Sequence, residues 1–230
     1  MRSSSRYGGP RLLRHAGLAV GSAGAAAAVA AFLPEGTLMF RASMATAYVG
    51  LALVAATLLI GPVNVLLSKR NPVTTDLRRD VGIWAALVTL LHVVLGLQVH
   101  LVGRPWLYFV WPFDRARLLP IRYDPWGVAN HAGLAATLIL MLLLTLSNDA
   151  ALRRLGAVRW KSLQRWNYAG FSLVVVHGAI YQVVERRSGG WISLFVFTVA
   201  LVAAGQAAGW RRVRRTRERA VSQSLASTDR

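Results

Sequence analysis

The chain has 230 residues, 55% of them hydrophobic, a formal net charge of +18 and no cysteine. Recurring apolar runs of about 20 residues exclude an ordinary soluble domain and indicate a polytopic membrane protein. The missing thiol excludes disulfides, thiolate metal sites, cysteine nucleophiles, CxxC redox chemistry and covalent c-type haem attachment, so any redox function must use a bound cofactor.

Six apolar segments follow in chain order, at residues 15–33, 43–67, 81–102, 127–147, 165–185 and 190–209. Each can span about 30 Å of hydrocarbon as a helix. The expectation is an all-α integral membrane protein, a bundle of six transmembrane helices with both termini cytoplasmic. Its parts are a basic N-terminus (1–14), the helical domain (15–210) and a basic, disordered C-terminal tail (211–230). Lys and Arg cluster in the short segments between the runs. With both ends inside, 20 of the 27 fall on the inner side and seven on the outer, as the positive-inside rule requires. The charge then orients helices and touches anionic lipids, and gives no support to nucleic-acid binding.

The first segment, "RLLRHAGLAVGSAGAAAAVAAF", also has the charged start and small-residue end of a secretory signal. Its cleavage would leave five helices with the same inner loops. His15, among Arg11 and Arg14, is expected to be a solvated residue at the membrane edge. The longest loop, 103–126, mixes Trp, Tyr and Phe with Arg, the composition of a segment lying at the outer membrane interface or of a docking surface for an extracytoplasmic partner.

The third segment carries His92 and His100, the fourth His131 and the fifth His177. An intramembrane imidazole needs a hydrogen bond or a ligand. His92 lies thirteen residues beyond Arg79 and His177 twelve beyond Arg165, which puts them about 20 Å and 18 Å up their helices. They share one level. Ala85, Thr89 and Gly96 flank His92 at helical spacing, and Gly170 and Gly178 accompany His177, as a porphyrin or close helix packing would need. A core histidine, a proton relay and an axial haem ligand all remain open for each. The matched depth, and the lack of a nearby Asp or Glu in the spans to continue a relay, shift the balance toward bis-histidine haem b. His100 and His131 form a second matched pair nearer the outer surface. A second haem there would be crowded, because His100 is about 12 Å from His92 along the helix and rotated by about 80°.

The stretches "RRDVGIWAALVTLLHVVLG" from Arg78 and "LTLSNDAALRRLGAVRWKSLQRWNYAGFSLVVVHGAIY" from Leu144 resemble the ferric-reductase-like transmembrane domain family. The likeness is greatest to the haem-binding membrane subunits of bacterial periplasmic methionine sulfoxide reductase systems. It covers the third to fifth segments and implies a bacterial inner-membrane, multi-pass location, with His92 and His177 as ligands of the haem iron. It departs at "WKSLQRWNY", where Gln164 stands at a family histidine position, so an inner haem or electron-entry site using that histidine is not expected in the same form.

The function expected on these grounds is a membrane b-type cytochrome, the electron-transfer subunit of an oxidoreductase. Without a Gly-rich dinucleotide motif, electrons would come from a quinol or a separate cytoplasmic flavin reductase and pass to an extracytoplasmic reductase or ferric acceptor. Arg78 and Arg79 at the inner edge, and Arg104 and Arg122 at the outer, are candidates for haem propionates or a quinone headgroup. Trp84, Trp160 and Trp166 are assigned no chemistry. The alternative is a non-enzymatic membrane transporter or scaffold whose histidines only bridge helices.

Overall fold

The computed structural model describes residues 8–33, 36–68, 73–112 and 118–228, and among these the protein is all-helical. The helices are α1 (Gly8–Ala31), α2 (Leu38–Leu66), α3 (Val73–Gly96), α4 (Pro125–Thr145), α5 (Asp149–Gln164), α6 (Trp166–Val184) and α7 (Gly189–Thr228). A short 3-10 helix, Pro105–Tyr108, lies between α3 and α4. Five helices, α1 to α4 and α7, are long and apolar enough to cross a membrane, which makes this a multi-pass membrane protein in outline. The 19-residue α6 is shorter than these five and carries Asn167, Tyr168, His177, Tyr181 and Gln182 among its residues. Of the basic residues counted above, Arg2, Arg6, Lys69, Arg70, Arg115, Arg117 and Arg230 lie outside the described residues.

Local chemistry accounts for several boundaries. Thr37 caps α2 by accepting from the Phe40 N–H at 3.2 Å, and Asp124 caps α4 at the Gly127 N–H (3.1 Å), with Pro125 preset for the first helical turn. Asn148 does the same for α5. That helix is polar and broken at Gly156, whose φ of 72° only glycine adopts freely; it lies within the connection that the sequence marks as an inner loop. Two expectations change. The third helix ends at Gly96, not 102, because the Tyr108 hydroxyl donates to the Gly96 carbonyl at 3.0 Å and the chain turns away through Gly103 at φ 78°. The tail expected to be disordered continues α7 to Thr228, where Arg, Glu, Ala and Gln are good helix formers and Arg214 meets Glu218 one turn on at 2.8 Å.

The central helix is α2, apolar on all sides as a surrounded helix must be. It packs against α1, α3 and α7, while α4 packs chiefly against α6. On α7, Gly205 and Gly209 stand one turn apart, and a Cβ at either would press on Leu59 or on Pro62 of α2, at 2.5 and 3.0 Å. This is the small-residue contact that lets membrane helices approach closely. It also repairs a defect. Pro62 has no N–H for the Leu58 carbonyl four residues earlier, and Gln206, between the two glycines, donates its Nε2 there at 2.7 Å. Asn167 of α6 likewise donates to Thr57 of α2 (2.9 Å) inside the bundle.

Helix α1 is joined to α3 by charge. Asp80, fully buried, accepts from Arg11 Nη2 at 3.1 Å and Arg14 Nε at 2.7 Å. The His15 Nε2 stands 3.4 Å from the same carboxylate, and His15 Nδ1 accepts from Trp84 Nε1 at 3.1 Å. That arrangement fits the neutral tautomer with its proton on Nε2. His15 is therefore not the solvated residue expected, and Trp84 is its hydrogen-bond donor. Their separation of more than 60 residues hides the pairing from local sequence reading.

The described parts of the 103–126 loop, residues 103–112 and 118–126, lie together at one end of the bundle. The Arg122 N–H donates to Phe109 O (2.8 Å) and the Trp111 N–H to Pro120 O (2.7 Å), which closes it as a hairpin-like cap. The Arg122 guanidinium lies over the rings of Trp111 and Trp126, with Nη2 2.6 Å from Asp124 Oδ2. Its hydrogen bond holds the Asp124 carboxyl below the usual range. A depressed folded value stabilises the cap above the unfolded carboxylate pKa of about 3.9, and that contribution is lost as pH falls through the folded value. Tryptophan emission should thus hold steady at pH 5 and change only below about pH 4. A change centred above pH 5 would contradict the assignment to Asp124.

Candidate histidine site

The site is assembled from four helices. His92 on α3 and His177 on α6 bring their rings to a centroid separation of 6.2 Å at an interplanar angle of 78°. The two backbones stay apart: no α-carbon of α3 comes within 8 Å of one of α6. The side chains reach across a gap between helices that do not pack on each other.

A neighbouring helix aims each ring. His92 Nδ1 lies 2.9 Å from the Ser43 carbonyl of α2, and His177 Nδ1 lies 2.8 Å from the Ala129 carbonyl of α4. A carbonyl only accepts, so both rings carry their proton on Nδ1 and present an unprotonated Nε2 lone pair. No described residue partners either Nε2. Both histidines line one apolar cavity of about 200 Å³. A carbonyl on the far nitrogen is the usual support of a ligating histidine.

The small residues divide by role. A Cβ on Gly133 of α4 would stand 2.6 Å from His177 Nδ1, so this glycine, one turn beyond Ala129, makes the seat of that ring. Gly96 is less constrained, with His92 Cε1 at 4.0 Å and Ser43 Oγ at 3.4 Å. Gly170 and Gly178, open in the sequence to either porphyrin room or close helix packing, receive Ile139 of α4 and Phe195 of α7, which is the packing role. Gly133 passes unnoticed in the sequence because a glycine in an apolar helix has no signal of its own.

At its loop end the cavity meets Tyr108, Tyr181, Gln182 and Arg187. Tyr181 donates to Asn130 Oδ1 (2.8 Å), and Gln182 Nε2 to the Tyr48 hydroxyl (3.2 Å), leaving the buried Gln182 Oε1 without a described partner. Arg187, just past α6, lies over the Phe40 ring, and burial pulls its pKa below the usual arginine value, with Glu185 opposing. Arg187 is the cation on this wall. Arg122, a sequence candidate for that role, is occupied by Asp124, and Arg104 is exposed.

Of the other candidates, His100 lines this cavity at its loop end, whereas His131, Arg78, Arg79, Arg104, Arg122 and Gln164 do not. His100, beyond the end of α3, has Nε2 3.2 Å from Glu185 Oε1 and its ring beside Trp126. His131 directs Nδ1 to the Gly127 carbonyl of its own helix at 2.7 Å and packs edge-on against Phe109. No contact joins His100 to His131, and the helical offset expected between His92 and His100 does not apply once α3 ends at Gly96. Arg78, Arg79 and Gln164 line a separate cavity at the opposite end of the bundle. Among the described residues, no three His, Asp or Glu side chains converge as metal ligands. The chain matches no protein-family model and no curated protein.

Proposed function

We propose that the protein is a membrane b-type cytochrome of the ferric-reductase-like kind, with six crossings including α6 and both termini on the cytoplasmic side of a bacterial inner membrane. The observation that carries the reading is the pair of carbonyl-oriented imidazoles, His92 and His177, which line one cavity between separated helices and whose Nε2 atoms have no described partner. Two ligands are too few for a structural zinc or non-haem iron centre but enough for a porphyrin iron, whose other four positions come from the macrocycle. Bound there, haem b would supply a one-electron couple.

The chain's own groups do the rest. Ser43 and Ala129 fix the tautomers and raise the basicity of the ligands through their carbonyls. The apolar walls exclude water and favour the less charged iron state, while Arg187 offers a cation to a propionate at the outer end. Tyr108 and the loop close that end, the side from which an extracytoplasmic reductase or ferric acceptor would draw electrons. The donor on the inner side would be a quinol or a flavin reductase.

Protein purified from haem-replete cells should give a reduced-minus-oxidised spectrum with a b-type α-band and one haem per chain. A colourless preparation would leave the histidines as helix-bridging groups and would favour a transporter or scaffold. A stoichiometry of two would revive His100 and His131 as ligands.

A further inference from the structure

The second cavity, of about 330 Å³, lies where α3 begins, between that helix, the end of α4, α5 and the start of α6. Its chemistry is opposite to that of the histidine cavity. The described wall carries Arg78, Arg79, Lys161 and Arg165 and no aspartate or glutamate. Asp149 and Asp76 hold Arg79 through its two terminal nitrogens, at 2.5 and 3.7 Å, without lining the space. Two buried donors on this wall lack any acceptor, Arg79 Nε and Gln164 Nε2, and the Arg79 side chain is only 9% exposed. The Asn167 amide, by contrast, is spent on Thr57.

Buried donors without acceptors are rare in native proteins and point to a partner. Here every uncompensated group is a donor or a cation, so the missing partner is an acceptor-only anion with several oxygens. A quinone brings two neutral carbonyls and leaves Arg78, Lys161 and Arg165 without a counter-charge. A carboxylate brings one charge and two oxygens. A phosphate group matches the set better, and basic pockets between transmembrane helices are known places for such headgroups.

We propose that this cavity binds a phosphate group, carried either by an anionic lipid or by a soluble phosphate compound, with Arg78, Arg79, Lys161 and Arg165 supplying charge and the Gln164 amide a directed hydrogen bond. The site is independent of haem binding. It also gives Gln164 a role that a histidine ligand could not fill.

The test uses the full chain in phosphatidylcholine nanodiscs, whose choline groups the cations repel, and follows the thermal midpoint. Phosphatidylglycerol is added in one arm and inorganic phosphate in another. A saturable upward shift with one site per chain is expected in one arm, and which arm responds identifies the source. Gln164→Leu and Lys161→Gln should each weaken that response about tenfold, read as a shift from each variant's own midpoint in phosphatidylcholine alone. Arg215→Gln, on the exposed tail, should leave the response intact. No saturable shift in either arm, or equal weakening by Arg215→Gln, would overturn the site.

Discussion

Replacing either His92 or His177 with alanine should abolish the b-type α-band while the protein still inserts and purifies as the wild type does. In the proposed reading His92 and His177 would hold the iron together, and neither imidazole alone would retain the group. Each substitution also removes a side chain that donates to a carbonyl already engaged within its helix, so the backbone keeps its bonds. The fold should therefore survive, with a loss of about 1 kcal/mol for each missing hydrogen bond.

A sharper version keeps both histidines. Gly133→Leu would drive a side chain into the space of the His177 ring, since even a Cβ stands 2.6 Å from Nδ1. It should displace that imidazole and bleach the α-band nearly as fully as His177→Ala. Gly96→Ala, whose Cβ would meet ordinary contacts at 3.4 and 4.0 Å, should retain haem. If Gly133→Leu binds haem with an unchanged spectrum, His177 is not held as proposed, whatever the alanine variants do. Arg187→Gln offers a milder probe, lowering the midpoint potential without loss of the band, because a nearby cation favours the reduced iron.

How much of this could be read from the sequence depends on distance along the chain. The depth match of His92 and His177 rests on helix rise alone, and it held because α3 and α6 are regular between their basic ends and the histidines. His100 failed the same arithmetic. The apolar letters continue through "LQVHLV", yet the helix stops at Gly96, because a tyrosine twelve residues further on takes up its last carbonyl. Apolarity marks what can lie in a membrane, not where a helix ends. Gly133 and Arg187 were hidden for another reason: each acquires its meaning from a partner on another element, His177 for one and the cavity wall for the other. Arg187 in particular looks like one more orienting charge. Pro62 and Gln206 illustrate the same limit, since the proline announces a missing N–H but not the glutamine 144 residues later that compensates for it.

The second large effect is expected at the charged joint of α1 and α3. Asp80 is fully buried and its carboxylate has two arginines as partners, whose side chains are 38% and 27% exposed. The asymmetry decides which variant is worse. Asp80→Asn leaves Arg11 and Arg14 able to turn toward water or lipid phosphate, and should cost about 1–3 kcal/mol, the scale of a weakened hydrogen-bond set. Removing both arginines instead strands a carboxylate in an apolar contact, with only the neutral His15 beside it, and should cost about 3–5 kcal/mol. The double variant Arg11→Ala/Arg14→Ala should accordingly release α1, exposing the Ala-rich segment to added protease and lowering the thermal midpoint in detergent more than Asp80→Asn does. Adding Asp80→Leu to that double variant should recover most of the loss, because it removes the stranded charge rather than restoring the pair. The α-band should persist throughout, since neither histidine nor its carbonyl partner lies on α1. Equal midpoints for the wild type and the arginine double variant would mean that packing of α1 on α2, including the Arg41 cap on the Ala30 carbonyl at 2.8 Å, holds the helix by itself.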